Sequence, residues 1–168
     1  MSYIKKVPYP YMGEEDVKRA VGYISEMDKS EYLVGGGIGI INAEEIHSSP
    51  EFIADQILAV QRYKGCRGRR LYHIVVSFDT VLDEVSVGQI KRIADRIVWL
   101  YRDYQSVYEL HEDTRNLHLH ILFNNIPLGD KKNLTYDFNI MNICRIVDEM
   151  IDGYKYSKER KYYRYKRR

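Results

Sequence analysis

Apolar and polar residues follow two regular spacings along this chain, and each spacing predicts one kind of secondary structure. A period of about 3.6 residues predicts helices, and a period of two predicts strands. The predicted helices run from Glu14 to about Ile24, from Pro50 to Tyr63, from Ser86 to Tyr101 and from Phe138 to Ile151. The predicted strands cover Leu33 to Ile41, Leu71 to Asp79, Val107 to His111 and Leu117 to Phe123.

The order of these elements predicts an α+β fold (in the broad sense α/β), a mainly antiparallel central sheet with helices packed on one face. The last two strands form a hairpin at the centre of that sheet, and the other face of the sheet stays open. Residues 1–12 are expected to be irregular or a short edge strand, because Pro8 and Pro10 cannot donate to a central sheet ladder.

The predicted hairpin places histidines on one face. A short polar segment separates its strands, and if His111 pairs with His118 both side chains point to the same side. The period of two then adds His120 to that face. Glu109, opposite His120, joins them, and Asn124 lies further along the same strand. The reverse face is apolar, which predicts that it packs on the core.

Three imidazoles on one face are a suitable donor set for a divalent transition ion. An open fourth position would make such a site catalytic rather than structural. The same pattern also fits ordinary half-buried strand histidines, but the position of His111 and the apolar reverse face favour the metal. We therefore predict one divalent ion, manganese first and magnesium, zinc or nickel as alternatives, held by His111, His118 and His120. If the strand from residue 71 lies beside the hairpin, His73 and Ser77 line this face too.

The composition describes a globular protein, with 168 residues, 45% of them hydrophobic and 30% charged. We predict one domain over residues 1–152, followed by a basic, tyrosine-rich tail over residues 153–168. The sequence has neither an apolar run of membrane-spanning length nor a signal-peptide segment, so we expect no membrane partner. Its two cysteines are expected to be reduced thiols of a cytoplasmic protein.

The net charge is only +2, but the cations are clustered. One cluster surrounds Gly65 and Gly68. The other lies in the tail, residues 153–168, where tyrosines are interspersed with cations. Such stretches could contact phosphates while the tyrosines stack on unpaired bases, although a basic tail is also often a solvated end. The candidate nucleic-acid-binding residues are Arg62, Lys64, Arg67, Arg69, Arg70, Lys161 and Arg164. The glycine-rich segment 33–41 lacks the spacing of a nucleotide-binding loop and instead favours close approach of another backbone or a DNA strand.

The motif His111-x-Asp113-x-x-x-x-His118-x-His120-x-x-x-Asn124 resembles the third motif of plasmid relaxases. These are mobilisation nucleases of the HUH (histidine–hydrophobic–histidine) endonuclease superfamily, and other parts of the chain resemble its MobA/MobL and MOBP branch. Segments 20–24 and 72–78 are similar as well, so the resemblance covers roughly residues 14–152.

This resemblance implies a relaxase fold and a DNA strand transferase activity. Single-stranded DNA at a transfer origin would be nicked and rejoined through a 5′-phosphotyrosine intermediate, to mobilise a plasmid or integrative element. By its place in the first motif, Tyr23 would be the nucleophile, with Tyr9, Tyr11 and Tyr32 as substitutes to test. The triad of histidines would hold the metal, and Asp113 would orient a histidine or accept the tyrosine proton. Accessory mobilisation proteins are further expected partners.

Two other functions stay open from the sequence. In a rolling-circle replication initiator, the nucleophilic tyrosine usually follows the histidine pair, and Tyr23 would be irrelevant. A non-catalytic DNA-binding accessory module would bind DNA without metal and without cleavage. A histidine-triad nucleotide hydrolase is disfavoured because Leu122 occupies the third histidine position. The chain also stops soon after the nuclease-like region, which fits an excised domain, a short relaxase or a relative that has lost part of the process.

Overall fold

A five-stranded antiparallel sheet forms the centre of the fold, in the order β1-β3-β5-β4-β2. The computed structural model describes residues 3–26, 33–78, 87–112 and 116–152. The strands are β1 (Tyr3–Lys6), β2 (Val34–Gly36), β3 (Leu71–Phe78), β4 (Tyr104–His111) and β5 (Leu117–Pro127). The helices are α1 (Glu14–Ile24), α2 (Pro50–Tyr63), α3 (Val87–Leu100), α4 (Leu134–Asp137) and α5 (Ile140–Asp152), with a 3-10 helix at Ala43–His47.

The predicted fold class and elements are confirmed, with differences at short elements. Helix α1 begins where Asp16 accepts hydrogen bonds from the backbone N–H groups of Met12 and Gly13. Strand β1 is the short edge strand that the two prolines allowed. Strand β2 has only three residues, because the chain leaves the sheet after Gly36 and turns at Gly39, whose φ is +81°. The short helix α4 and the 3-10 helix lack the long periodic pattern that predicted the others. The predicted tail, residues 153–168, lies outside the described residues.

The hairpin has the predicted register. His111 pairs with His118 and Glu109 pairs with His120. On the other side of β5, Ser77 pairs with His118, so β3 does lie beside the hairpin. Strand β5 is therefore central, and its histidines are flanked on both sides by neighbouring strands.

Helices lie on both faces of the sheet rather than on one. Helices α3 and α5 cover the apolar face. Helices α1 and α2 cover part of the histidine face, where they bury Leu71, Val107 and Leu122. These three apolar side chains share that face with the histidines, and burying them in a second core removes them from water. Helices α1 and α2 thus cover one end of the histidine face.

None of the helices in the described ranges has both the length and the apolar character that are needed to span a membrane.

Candidate active site

The site is a cluster of imidazole rings on the histidine face of the sheet. The ring centroids of His111 and His120 are 4.2 Å apart, and those of His73 and His120 are 5.2 Å apart. His118 is half-buried, and its ring lies 6.4 Å from that of His120. Adjacent strands supply these rings because residues that are paired across an antiparallel ladder share a face. The structure therefore brings the predicted triad together and adds His73 from β3.

Hydrogen bonds fix the orientation of the rings. His111 Nε2 lies 2.8 Å from the carbonyl oxygen of Ile24, the last residue of α1. A carbonyl oxygen only accepts, so His111 donates from Nε2, and in its neutral form the lone pair is on Nδ1. His73 Nε2 lies 2.9 Å from His120 Nδ1, and the hydroxyl of Tyr11 lies 2.9 Å from His73 Nδ1.

Burial makes two of these groups resist ionisation. Burial lowers the pKa of His73 to about 4, and the neighbouring charges of His111 and Lys5 act in the same direction. Burial also raises the pKa of Tyr11 to about 12, helped by the nearby tyrosines Tyr23 and Tyr9. His73 is therefore a neutral imidazole and Tyr11 a neutral phenol near pH 7.

The donor chemistry fits a divalent metal, but the rings do not yet converge on one point. Among the described residues, no three His, Cys, Asp or Glu side chains form a metal-binding group as they stand. Nitrogens about 2.0 Å from one metal would lie about 3.3 Å from each other, but the 2.9 Å between His73 Nε2 and His120 Nδ1 is a hydrogen bond between the two rings. His111, His118 and His120 are the residues that would hold such an ion. Asp113, the acidic residue of the motif, lies outside the described residues.

Tyr23 lies directly over this cluster. Its ring packs edge-on against His120, His111 and His73, with centroids 5.8, 6.2 and 6.3 Å away. The side chain is 45% exposed, so the phenol is in reach of a ligand from solvent. The next residue of α1, Ile24, carries the carbonyl that binds His111. The end of α1 is thereby attached to the strand that holds the first histidine of the motif.

Of the other predicted residues, two lie beside the cluster and one does not. Glu109 is completely buried, and His47 Nε2 lies 3.5 Å from its carboxylate. Ser77 is also completely buried next to His118, and its hydroxyl has no hydrogen-bond partner in the described part of the chain. Asn124 lies four positions beyond His120, and its amide binds two glutamine side chains away from the histidines, those of Gln61 and Gln105.

A cleft of about 420 Å³ opens next to Tyr23, between β1 and α1. This volume is within the range of ligand sites in proteins. It is lined by the cations Lys5 and Arg19, by the Asp16 carboxylate 3.5 Å from Arg19, and by the ring of Tyr9, which is 45% exposed. Tyr23, His73 and His120 line its inner end. The cleft thus joins the solvent to the histidine cluster.

Most cations of the predicted basic turn, the segment from Arg62 to Arg70, make hydrogen bonds or ion pairs with other parts of the chain. Arg62 forms an ion pair with Glu14, and Lys64 donates to the carbonyl oxygen of Gly129. The other two arginines with contacts hold the segment before α1: Arg69 donates to the carbonyl of Tyr9, and Arg70 to that of Met12. Within the described residues, Arg67 alone of the five makes no hydrogen bond or ion pair. The two tail residues, Lys161 and Arg164, lie outside the described residues, as does Tyr32.

Sequence reasoning had no means to find several groups of the site. His47 comes from the 3-10 helix and shows no periodic pattern. The cations Lys5 and Arg19 stand alone in the sequence, and only the pairing of β1 with β3 brings Lys5 beside the cluster. From the sequence, Tyr11 is only a substitute candidate for the nucleophile. The one available signal was the excess of tyrosines, sixteen against four phenylalanines, which indicates that some phenols have polar roles.

Comparison with known proteins agrees with this geometry. The family model described as relaxase, MobA/VirD2-like, nuclease domain, matches residues 23–156. Two proteins named Protein TraI, both from Escherichia coli, are each 30% identical over 125 residues, which is 73% of this chain. The aligned part is 16% of each relative, so the chain spans only a small fraction of their length. No solved structure matches the chain. The chain belongs to the MobA/VirD2-like relaxases, a family of DNA-nicking enzymes, and corresponds to their nuclease domain.

Proposed function

We propose that this chain nicks and rejoins single-stranded DNA at a transfer origin, in a metal-dependent and strand-specific reaction that mobilises a plasmid or integrative element. The proposal rests on the family membership and on one observation, the position of the Tyr23 phenol against three imidazole rings. The reaction would be of the HUH type, with His118-Leu119-His120 as the histidine–hydrophobic–histidine motif. The single strand is the main partner, and accessory mobilisation proteins would bring the origin to the enzyme.

Tyr23 is the best candidate nucleophile among the described tyrosines. Its exposed phenol lies beside the histidines, whereas the Tyr11 hydroxyl is buried and engaged by His73. The hydroxyl of Tyr9 binds Asp16 at 3.0 Å. Tyr136, which follows the histidine pair as in a rolling-circle initiator, lies on α4, a helix that packs near Asn125 rather than near the histidines. Among the described tyrosines, the geometry thus favours Tyr23 over Tyr136 as the nucleophile.

The chemical step conserves the phosphodiester energy. The Tyr23 oxygen would form a bond to the scissile phosphorus while the bond to the 3′ oxygen breaks. The phenol loses its proton and the leaving oxygen gains one, so that a 3′ hydroxyl and a 5′-phosphotyrosine result. Attack by a 3′ hydroxyl on that intermediate restores the DNA and the phenol. Asp113 is the sequence candidate for the proton acceptor.

A divalent ion held by His111, His118 and His120 would polarise the phosphate and offset the negative charge that develops on it. The surrounding residues would orient the histidines and hold the nucleophile in place. Ile24 orients His111 through its carbonyl, and α1 holds the phenol at the cluster. Relaxases generally use a divalent metal, and neutral imidazoles favour manganese, zinc or nickel over magnesium.

The cleft beside Tyr23 is the proposed binding site for the nucleotides next to the scissile phosphate. Lys5 and Arg19, which line it, are placed to contact phosphates, and Tyr9 presents a ring face for stacking on an unpaired base. An extended single strand that enters through the cleft would bring its phosphate to the phenol.

The test is covalent capture. The full chain is incubated with manganese and a single-stranded oligonucleotide library of candidate origin sequences, and proteolysis followed by mass spectrometry maps the attached nucleotide. We expect a manganese-dependent adduct on the peptide that contains Tyr23. An adduct on a tyrosine after the histidine pair would instead indicate a rolling-circle initiator. Metal-independent DNA binding without any cleavage of a cognate origin would indicate the accessory module.

A further inference from the structure

Three buried side chains form a hydrogen-bonded row that leads into the histidine cluster. The Tyr11 hydroxyl is 2.9 Å from His73 Nδ1, and His73 Nε2 is 2.9 Å from His120 Nδ1. The exposed fractions of Tyr11, His73 and His120 are 8%, 3% and 7%. Both ring nitrogens of His73 are therefore engaged by other side chains, so His73 in this arrangement supports a ligand rather than acting as one.

The direction of these hydrogen bonds decides what His120 can do. A neutral imidazole carries a proton on one nitrogen and a lone pair on the other, and a metal binds through the lone pair. If His120 donates from Nδ1 to His73 Nε2, its own Nε2 keeps a lone pair. His73 must then carry its proton on Nδ1, which it donates to the Tyr11 oxygen. The opposite direction would place a proton on His120 Nε2 and block a metal there.

We infer that His73 and Tyr11 are positioning residues that hold His120 in the tautomer that binds a metal through Nε2. This inference rests on the proposed metal site at His111, His118 and His120. Metal-binding histidines commonly donate their second nitrogen to a fixed acceptor, and that acceptor orients the ring. Here the acceptor of His120 is another histidine, and Tyr11 completes the row.

The backbone of Tyr11 supports this role. Its φ is +47°, in the left-handed region that a bulky side chain rarely occupies. The conformation is held where Arg70 N–H donates to the Tyr11 carbonyl at 2.8 Å and where Tyr9 packs edge-on against the ring, 4.9 Å between centroids. Strained residues of this kind gather at functional sites. In this conformation the Tyr11 hydroxyl lies 2.9 Å from His73 Nδ1.

The first test measures manganese affinity on the full chain, with the electron paramagnetic resonance signal of unbound Mn²⁺ as the readout. We expect His73→Leu and Tyr11→Phe to weaken binding by about 10- to 100-fold, the usual effect of removing an outer partner of a ligand. His73→Gln should keep most of the affinity, since its side-chain oxygen can accept from His120 Nδ1. Tyr104→Phe is the matched control, because it removes a buried, hydrogen-bonded phenol on the other face of the sheet.

The second test observes the tautomers in the wild-type chain and so does not depend on a variant that folds. Zinc serves as a diamagnetic probe, and nitrogen-15 NMR should show His73 and His120 each protonated on Nδ1. A proton on His73 Nε2 would overturn the inference. So would wild-type manganese affinity in both His73→Leu and Tyr11→Phe while His120→Ala no longer binds. If His120→Ala binds manganese normally, the proposed metal site itself is wrong, and the two failures are thereby distinguished.

Discussion

The phenol ring of Tyr23 on α1 packs edge-on against the imidazole of His120 on β5, with 5.8 Å between the ring centroids. We predict that Tyr23→Phe keeps this packing but forms no covalent adduct with single-stranded DNA, because only the attacking oxygen is lost. Gel shift, manganese titration and denaturing electrophoresis measure binding and attachment separately. Tyr63→Phe removes an exposed phenol at the end of α2 and should attach at the wild-type rate. Normal attachment by Tyr23→Phe would move the nucleophile to another tyrosine.

Metal binding should appear as added stability. A ligand that binds only the folded chain, at a concentration 100 times its Kd, stabilises it by about 2.7 kcal/mol. We therefore expect manganese to raise the urea midpoint of the wild type and of Tyr23→Phe. His120→Ala should lose this increment together with cleavage. A chelator should stop cleavage while DNA binding persists, and full activity in the chelated protein would contradict the metal-dependent reaction.

The cleft cations should determine the salt dependence of DNA binding. Each phosphate contact with a single strand contributes about −0.7 to the slope of log affinity against log salt concentration. We predict that Lys5→Ala and Arg19→Ala each weaken binding and make the slope shallower by about that amount. Arg67→Ala should act in the same way if the basic turn contacts DNA. Lys91→Ala is the control, since Lys91 lies on α3, which covers the opposite face of the sheet from the cleft. Unchanged slopes for both cleft variants would place the DNA elsewhere.

The phenol of Tyr108 should make the free energy of unfolding fall at alkaline pH. Burial, followed by its 2.8 Å hydrogen bond to Asp95, raises the pKa of this phenol far above its usual 10. The folded chain therefore holds a proton that the unfolded chain releases, so this contribution is complete below pH 10 and declines as the pH rises beyond it. Urea unfolding at pH 8 and pH 10.5 should show a smaller decline for Tyr108→Phe than for the wild type. At pH 8 the variant should lose about 1 kcal/mol with its hydrogen bond. An equal decline in both proteins would contradict the raised pKa.

Replacing Gly35 and Gly22 by alanine should change the free energy of unfolding in opposite directions. A Cβ on Gly35 would come closer than 3.0 Å to the phenol of Tyr108, its partner across the ladder. The close neighbour of this glycine is thus the Tyr108 side chain. Gly35→Ala should lower the free energy of unfolding by about 1–3 kcal/mol through overpacking. Gly22 lies inside α1 with nothing within 4 Å, so Gly22→Ala should stabilise by up to about 1 kcal/mol. Urea denaturation measures both, and equal signs would contradict the packing argument.

The sequence by itself determined the features that depend on neighbouring residues. Alternation with a period of two and one polar turn were enough to predict that His111 pairs with His118 and that Glu109 pairs with His120. The period of about 3.6 residues was enough to place α1 at Glu14–Ile24 and α2 at Pro50–Tyr63. These features follow from local geometry, because side chains return to the same face every two residues in a strand and about every 3.6 in a helix, wherever the rest of the chain goes.

Only the tertiary structure decided what surrounds the hairpin histidines. His73 reaches His120 because β3 pairs with β5, and Tyr11 reaches His73 across 62 positions of sequence through a strained backbone. Helices α1 and α2 cover part of the histidine face because Leu71 and its apolar neighbours there must also be buried. Arg70, which looked like a DNA contact, is instead bound to the segment before α1. Sheet order and long-range packing set these contacts, and neither is encoded in the spacing of adjacent residues.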